Sequence, residues 1–189
     1  MEDRLTDEER SILLKLARQA IDTAAQGRQR PALDLQALPE RLRKPGATFV
    51  TLTRHGALRG CIGALEPYQA LAEDVCEHAV AAAMNDFRFP PVNGSEVPEL
   101  SIEISRLTLP QTLAYEQPGD LLEKLRPNVD GVILRDGVRR ATFLPQVWEK
   151  LPDPAEFLSH LCQKMGAAHD LWRRKMLQVE IYQVEEFHE

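Results

Sequence analysis

Two strand-like segments joined by His55-Gly56 constrain the fold of this chain more than any other feature. One precedes the dipeptide at residues 49–54 and the other follows it, and a two-residue connection of this kind makes a β-hairpin. The second segment contains Gly60 and Gly63. Glycine weakens a strand interior and usually marks a bulge or a close approach of backbone or ligand. The glycines therefore predict either tight packing or a site at this strand.

Arg59 and Cys61 bring reactive chemistry into the same segment. Side chains alternate between the two faces of a strand, so these two are expected on one side, roughly 7 Å apart along the chain. A neighbouring cation lowers the pKa of a thiol and makes it a nucleophile. The pattern predicts an anion-binding site or a site of thiol chemistry.

A packing role for Cys61 explains the same pattern. A free cysteine is among the most buried residue types and usually behaves as a small hydrophobe. In a regular hairpin Leu52 lies opposite Arg59 and Val50 lies opposite Cys61, which puts an aliphatic side chain beside the thiol. Apolar surroundings raise the pKa of a thiol instead of lowering it. Both interpretations stay open at this point.

Composition and charge limit the classes of function. The 189 residues are 43% hydrophobic, enough for the core of one domain or of two unequal lobes. A net charge of -6 argues against nucleic-acid binding, which needs a basic face. No apolar run approaches the roughly 20 residues that span a bilayer, and acids stand where a signal peptide carries bases. We expect a cytoplasmic protein that binds neither nucleic acid nor membrane.

The cysteine count and the absence of known motifs argue against metals and cofactors. Cys61, Cys76 and Cys162 are odd in number and lack paired spacing, which predicts free thiols. There is no Cys-x-x-Cys and no His-Glu-x-x-His, so no metal site is predicted. The phosphate-loop and dinucleotide glycine signatures are also missing, so no cofactor is predicted.

Helix and strand signals interleave along the rest of the chain. They are a capping box at Thr6-Asp7-Glu8-Glu9, an irregular connection over residues 28–46, an alanine-rich helix over 68–85, an alternating strand at 100–105, a hairpin turn at Asp136-Gly137, a helix start at Asp153-Pro154 and a long final strand over 176–187. Short turns and at least two hairpins are typical of an α+β fold with mainly antiparallel sheets and flanking helices.

Two further segments supply charged candidates. Residues 86–91 bring Asp86 and Arg88 into a proline-terminated turn after the alanine-rich helix. Arg88 is expected either to pair with Asp86 or Glu96 at the surface, which is worth little energy, or to reach into a cleft, as loop residues often do. Glu103 lies on the polar face of the alternating strand. It faces water, or it lines a cleft with the arginines as an acid–base group or an arginine partner.

An ordered series of motifs resembles the AMMECR-domain family. The series is Leu58-Arg59-Gly60-Cys61-Ile62-Gly63, the alanine-rich helix, Asp86-x-Arg88-Phe89-x-Pro91, Glu99-Leu100, Glu103-x-Ser105, Gly131-Val132, Ala141-Thr142-Phe143-Leu144-Pro145-Gln146-Val147-Trp148, Phe157-Leu158 and Lys164-x-Gly166. It covers most of residues 46–187, whereas residues 1–45 carry little of it. Met165 and Ala167 depart from the alanine and leucine more usual in the family, which concerns helix packing and not the proposed site.

The resemblance implies one AMMECR-type domain of two unequal subdomains with a groove between them. Residues 46–108 and 150–189 would form the larger subdomain and about 109–149 the smaller one, with 1–45 as an N-terminal helix and wrapping segment. The chain would be similar to the A component of the AmmeMemoRadiSam set, whose other members are a Memo-type protein and a radical S-adenosylmethionine enzyme. The site positions carried over are Arg59, Gly60, Cys61, Gly63, Asp86, Arg88 and Glu103.

Three functional interpretations follow from these residues. In an enzyme, Cys61 is the nucleophile or redox thiol, Glu103 orients or transfers a proton, and Arg59 and Arg88 bind an anionic substrate or lower the pKa of the thiol. In a binding module, Arg59 and Arg88 with Asp86 hold a small anionic ligand or a partner protein, and the glycines permit backbone approach. In a purely architectural role, Cys61 and the glycines allow tight packing, and Arg59 pairs with Glu103. Our expectation ranks binding ahead of catalysis.

Overall fold

The computed structural model describes residues 4–189, which divide into two compact units. The first unit runs to Thr108 and includes Glu185–Glu189, and the second is Leu109–Val184. The expected division assigned residues 150–189 to the larger subdomain. The structure instead places 150–184 with the second unit, where strand Gln178–Tyr182 pairs with strand Gly131–Asp136. The expectation about a signal peptide rests partly on residues 1–3, which lie outside the described residues.

The first unit contains a sheet whose central strand is β1 (Pro45–Arg54). Strand β1 pairs on one side with β2 (Ala57–Gly63) and on the other with β4 (Leu100–Leu107), and β9 (Val184–His188) lies beyond β4. The short β3 (Gln69–Ala70) pairs with the start of β1. All three pairings of β1 are antiparallel. With the helices described next, this is the expected α+β fold.

The helices of this unit are α1 (Asp7–Ala25), α2 (Glu40–Arg43) and α3 (Leu71–Met84). Short 3₁₀ turns lie at Leu35–Ala37 and Val97–Glu99. The predicted capping box is confirmed, because the Thr6 hydroxyl accepts from the Glu9 amide and the Glu9 carboxylate accepts from the Thr6 amide. Thus α1 starts where the sequence predicts, whereas α3 starts three residues later than expected.

One face of the first sheet forms the core against these helices. In the first half of β4 Leu100, Ile102 and Ile104 are buried, whereas Ser101 is exposed and Glu103 half-buried. This confirms the predicted alternation over residues 100–104, whereas Ser105, expected on the polar face, is buried. Val50 and Leu52 of β1 lie beside them in the register and are fully buried.

The second unit contains the sheet order β5-β8-β6-β7. Its strands are β5 (Gln111–Thr112), β6 (Gly131–Asp136), β7 (Arg139–Phe143) and β8 (Gln178–Tyr182). Its helices are α4 (Leu121–Lys124), α5 (Pro154–Lys164) and α6 (Leu171–Arg174), with 3₁₀ turns at Pro118–Asp120 and Pro145–Glu149. The predicted β6–β7 hairpin is present, but its loop is Gly137-Val138, since Asp136 pairs with Arg139.

A stacked aromatic pair lies in the core of the second unit. The rings of Trp148 and Phe157 are parallel within 6°, with centroids 3.6 Å apart. The Trp148 indole nitrogen donates to the backbone carbonyl of Asp130 at 2.7 Å. Both aromatic side chains are fully buried, so they supply much of the apolar area that holds this unit together.

The single final strand expected over residues 176–187 is instead two strands. Strand β8 ends at Tyr182 in the second unit, and β9 begins at Val184, after which Glu185–Glu189 belong to the first unit. The buried residues Val179, Tyr182 and Glu185 are three apart, so no single period of two runs through the segment. The buried positions of β8 and of β9 are therefore set separately, each by the sheet to which the strand belongs.

Within residues 4–189, no helix combines the length and apolar character needed to cross a membrane.

Candidate functional site

A β-bulge decides which face of the sheet Cys61 occupies. The pairing of β1 with β2 slips between Leu52 and Thr53, so Leu52 lies opposite Gly60 and Thr51 lies opposite Cys61. The regular hairpin register expected from the sequence, with Val50 opposite Cys61, is wrong by one residue. Because a one-residue slip moves side chains to the other face, the thiol leaves the aliphatic core face. The half-buried Cys61 Sγ accepts a hydrogen bond from the Thr51 hydroxyl at 3.4 Å.

Asp86 and Arg88 both bind the backbone of Cys61. The Cys61 amide donates to Asp86 Oδ2 at 2.9 Å, and Arg88 Nη2 donates to the Cys61 carbonyl at 3.2 Å. The two side chains also bind each other, with Arg88 Nε 2.9 Å from Asp86 Oδ1 and Nη2 2.7 Å from Oδ2. The turn after α3 is therefore joined to the middle of β2 by two hydrogen bonds, and the Asp86–Arg88 pair holds both side chains in place.

The pairing of Asp86 with Arg88 shifts both pKa values. The guanidinium of Arg88 is the main cause of a pKa of Asp86 well below its usual range, and the amides of Cys61 and Arg88 contribute. The Asp86 carboxylate in turn raises the pKa of Arg88. Hydrogen bonds to the charged form and a nearby opposite charge both act in this direction. The pair therefore stays ionised at pH values below the ordinary pKa of aspartate.

Arg59 pairs with Glu96, which corrects the architectural interpretation in which it paired with Glu103. Arg59 Nε and Nη2 lie 3.2 and 3.3 Å from the two Glu96 carboxylate oxygens. Glu96 also accepts from Arg54 Nη1 at 3.1 Å and from the amide of Asn93. Arg59 is the largest cause of a lowered pKa of Glu96, followed by the Asn93 amide. The segment that follows α3 thus carries both acids of the site, Asp86 for Arg88 and Glu96 for Arg59.

The ring of Phe89 lies near both guanidinium groups. The guanidinium carbon of Arg59 is 6.0 Å from the ring centroid, and that of Arg88 is 5.6 Å from it. An aromatic face attracts cations at such distances. We call Arg59, Arg88 and Phe89 the arginine cluster. Its two cations, distant in the sequence, are brought to one ring by the turn after α3.

Glu103 shares a row of the sheet with Cys61 but does not contact it in the register. Thr51 pairs with Cys61 on one side and with Glu103 on the other. Neighbouring strands are about 4.8 Å apart, so two strand spacings, or roughly 10 Å, separate Glu103 from Cys61. Direct proton transfer needs a distance of about 3 Å, so a role for Glu103 at the thiol requires an intervening water or substrate group.

Gly60 and Gly63 both have a packing reason in this structure. A Cβ on Gly60 would lie 2.1 Å from the Ala82 carbonyl oxygen of α3. A Cβ on Gly63 would lie 2.4 Å from both the Phe49 ring and the Thr48 carbonyl oxygen. The glycines therefore let β2 approach α3 and β1, and their predicted contact with a ligand stays a prediction.

Sequence reasoning did not identify Thr51, Glu96 and Phe89 as parts of this site. Thr51 lies opposite Cys61 only because of the bulge. The glycines of β2 are typical of a bulge, but they do not show at which residue it occurs. Glu96 was considered only as a surface partner of Arg88. Phe89 stood within the turn motif without an assigned role.

A second polar network lies on the opposite, buried face of the sheet. The carboxylate of Asp74, fully buried, accepts from the Thr48 hydroxyl at 2.7 Å and lies 3.1 Å from His78 Nδ1. His78 and Asp74 lie one turn apart on α3, whereas Thr48 belongs to β1. The bond from Thr48 ties α3 to β1. Among the residues that the structure describes, no three His, Cys, Asp or Glu side chains are grouped to hold a metal.

Comparison with known proteins identifies the family. The AMMECR1 family model matches residues 14–187. The chain belongs to the AMMECR1 family. A Methanothermobacter thermautotrophicus protein is 38% identical to it over 98% of this chain and 96% of its own length. A Methanopyrus kandleri protein is 37% identical, covering 100% of this chain and 92% of its own.

A solved structure has the same fold as this AMMECR1 chain. It is an uncharacterised protein from Pyrococcus horikoshii, superimposed with a TM-score of 0.77 at 33% identity. The match covers 98% of this chain and 93% of the other. The comparison therefore spans both units and supports the α+β architecture described above.

In this AMMECR1 chain, iodoacetamide at pH 8 should modify Cys61 about tenfold or more faster than either other cysteine. Burial raises the pKa of Cys76 to about 11 and also raises the pKa of Cys162, and both are closed to solvent. Peptide mapping by mass spectrometry after timed quenching measures the three rates, and Cys61→Ser provides the matched blank. Equal labelling of all three cysteines in the folded protein would contradict this geometry.

Proposed function

We propose that the arginine cluster binds a small anionic ligand beside Cys61. The proposal concerns a ligand with a carboxylate or phosphate group, because planar guanidinium groups match both geometries. It is supported by two guanidinium groups held near one aromatic ring, with the Cys61 thiol on the adjacent polar face of the sheet.

The observation that carries the proposal is a buried donor on Arg59. Its Nη1 is closed to solvent and has no hydrogen-bond partner among residues 4–189, whereas its Nε and Nη2 are bound to Glu96. A buried donor without an acceptor costs about 1–3 kcal/mol, so such a group calls for an explanation. An anionic oxygen bound at Nη1 removes that cost.

The acids of the site hold the arginines in place for binding. The Asp86 carboxylate accepts hydrogen bonds from Nε and Nη2 of Arg88. The Glu96 carboxylate accepts from the same two atoms of Arg59. Side chains that are already ordered lose less conformational entropy when a ligand arrives. Because the same acids also neutralise the arginines, we expect moderate affinity and a strong dependence on the shape of the anion.

Arg88→Gln should weaken anion binding by at least about tenfold, which corresponds to about 1.4 kcal/mol. Binding is measured by isothermal titration calorimetry and by the shift of the unfolding midpoint, with inorganic phosphate, pyrophosphate and citrate as probes. Arg135→Gln is the matched control, because Arg135 pairs with Glu180 and is exposed to a similar degree as Arg88. Arg59→Gln should act in the same direction.

Two results would count against the proposal. One is that none of the three anions binds or raises the unfolding midpoint. The other is that the control variant loses as much affinity as Arg88→Gln, which would indicate an unspecific effect of charge.

Thiol catalysis is the second candidate, and the position of Cys61 is the observation that favours it. The bulge turns the thiol toward Thr51 and away from the aliphatic core. The labelling experiment above, repeated between pH 5.5 and 9, tests this function. A Cys61 rate at pH 6 above that of a free cysteine peptide supports catalysis, and a rate below it at every pH leaves the binding function.

The setting of this binding site is also a proposal. We propose a cytoplasmic role with a Memo-type protein and a radical S-adenosylmethionine enzyme as partners, which the family resemblance supports. Size-exclusion chromatography of the purified proteins mixed in pairs tests it, and separate elution of every pair would argue against direct partnership.

A further inference from the structure

Strand β2 is the outer strand of the first sheet. Within residues 4–189 its pairing partner is β1, and no strand pairs with its other edge. The outer edge of a sheet presents unpaired backbone donors and acceptors to any other extended chain. The edge of β2 is therefore a place where a further strand can add.

The backbone groups of Cys61 point out from this edge. Just after β2, the Ala64 amide donates to the Thr48 carbonyl, so Ala64 and Thr48 form a hydrogen-bonded pair. Successive pairs in an antiparallel ladder alternate between hydrogen-bonded and non-hydrogen-bonded. The pair of Cys61 with Thr51 lies three positions from the pair of Ala64 with Thr48, so it is a non-hydrogen-bonded pair. The amide and carbonyl of Cys61 thus face away from β1.

Asp86 and Arg88 occupy these outward groups in the way that a neighbouring strand would. Asp86 supplies the acceptor for the Cys61 amide, and Arg88 supplies the donor for the Cys61 carbonyl. The turn that carries them is itself closed by two bonds, from the Phe89 amide to the Asp86 carbonyl and from the Arg88 amide to Asp86 Oδ1. Two ordered side chains therefore fill the position of a strand.

We infer that Asp86 and Arg88 form an edge guard that prevents β2 from pairing with β2 of a second copy of this chain. A second copy is the occupant that fits, because antiparallel pairing about a two-fold axis at Cys61 exchanges the amide and carbonyl of one Cys61 with those of the other. In the same register Leu58, a half-exposed aliphatic residue on the strand, lies opposite Ala64 of the second copy. The guard satisfies the amide and the carbonyl of Cys61 within one chain and leaves neither for the copy to bind.

The double substitution Asp86→Ala with Arg88→Ala tests this guard. Light scattering after size-exclusion chromatography, over 5–500 µM protein with reductant present, should show at least a tenfold gain in self-association over the unsubstituted chain. The matched control is Asp170→Ala with Arg174→Ala, which removes a surface ion pair on α6 and should leave self-association unchanged. Circular dichroism establishes that each variant is folded.

A third substitution shows whether the new contact uses β2. Cys61→Pro, added to the double variant, removes the outward amide, and proline is tolerated on an edge strand, so self-association should return to the level of the unsubstituted chain. If the double variant does not fold, Arg88→Ala alone should give a smaller gain in the same direction. A folded variant without any gain, or a gain that survives Cys61→Pro, would overturn the inference. Because anion binding is measured separately, its failure would leave the guard untouched.

Discussion

Gly60→Ala should destabilise the protein by about 3 kcal/mol, at the upper end of overpacking effects, and lower the unfolding midpoint by roughly 6–12 °C. The new methyl group would lie 2.1 Å from the Ala82 carbonyl oxygen. That oxygen belongs to the backbone of α3, so relief requires β2 and the helix to separate. Differential scanning calorimetry and urea unfolding measure the change.

Gly94→Ala is the control for this substitution. Gly94 belongs to the same unit, and its nearest atom to an added Cβ is the Ala25 carbonyl oxygen at 4.0 Å. We expect a change within about 0.5 kcal/mol there, as for most surface substitutions. If Gly60→Ala kept its full stability but lost anion binding, Gly60 would serve the approach of a ligand and the packing explanation would be wrong.

Trp148→Ala should cost about 3–5 kcal/mol, the range for removing a buried aromatic side chain. The substitution leaves a cavity beside Phe157, whose ring loses its stacking partner, and it removes the donor to the Asp130 carbonyl. Chemical unfolding measures the loss. Val138→Ala is the control, because Val138 is fully exposed in the same unit and should tolerate the change.

Cysteine labelling shows where the Trp148→Ala structure opens. Cys162 lies in the same hydrophobic cluster as Trp148, so its alkylation should become faster. Cys76 lies buried on α3 of the other unit and should stay protected. Equal exposure of both thiols would mean that the two units unfold together, against the division into two compact units.

Local patterns were sufficient to predict many elements of the fold. The capping box at Thr6, the alternation of residues 100–104 and the α+β class were all present in the structure as predicted. Each depends on residues within a few positions of one another, so a short window of sequence contains the whole physical cause. The family resemblance was confirmed by the comparisons.

The candidate site was predictable as a set of residues but not as a set of contacts. The sequence singled out Arg59, Cys61, Asp86 and Arg88, and the structure joins Asp86 and Arg88 to Cys61. The partner of Arg59 was not predictable, because Glu96 is 37 residues away. Many acids lie at such separations, and only the path of the chain selects one.

The sequence by itself determined the starts of α1 and α5, the strand alternation over residues 100–104 and the residue types available for a site. The tertiary structure decided which face Cys61 occupies, which acid holds each arginine, why Gly60 is a glycine and where the last strand divides. The reason is that propensities and caps act between neighbours in the chain. A bulge, a long-range ion pair and a choice between two sheets depend instead on how distant segments pack together.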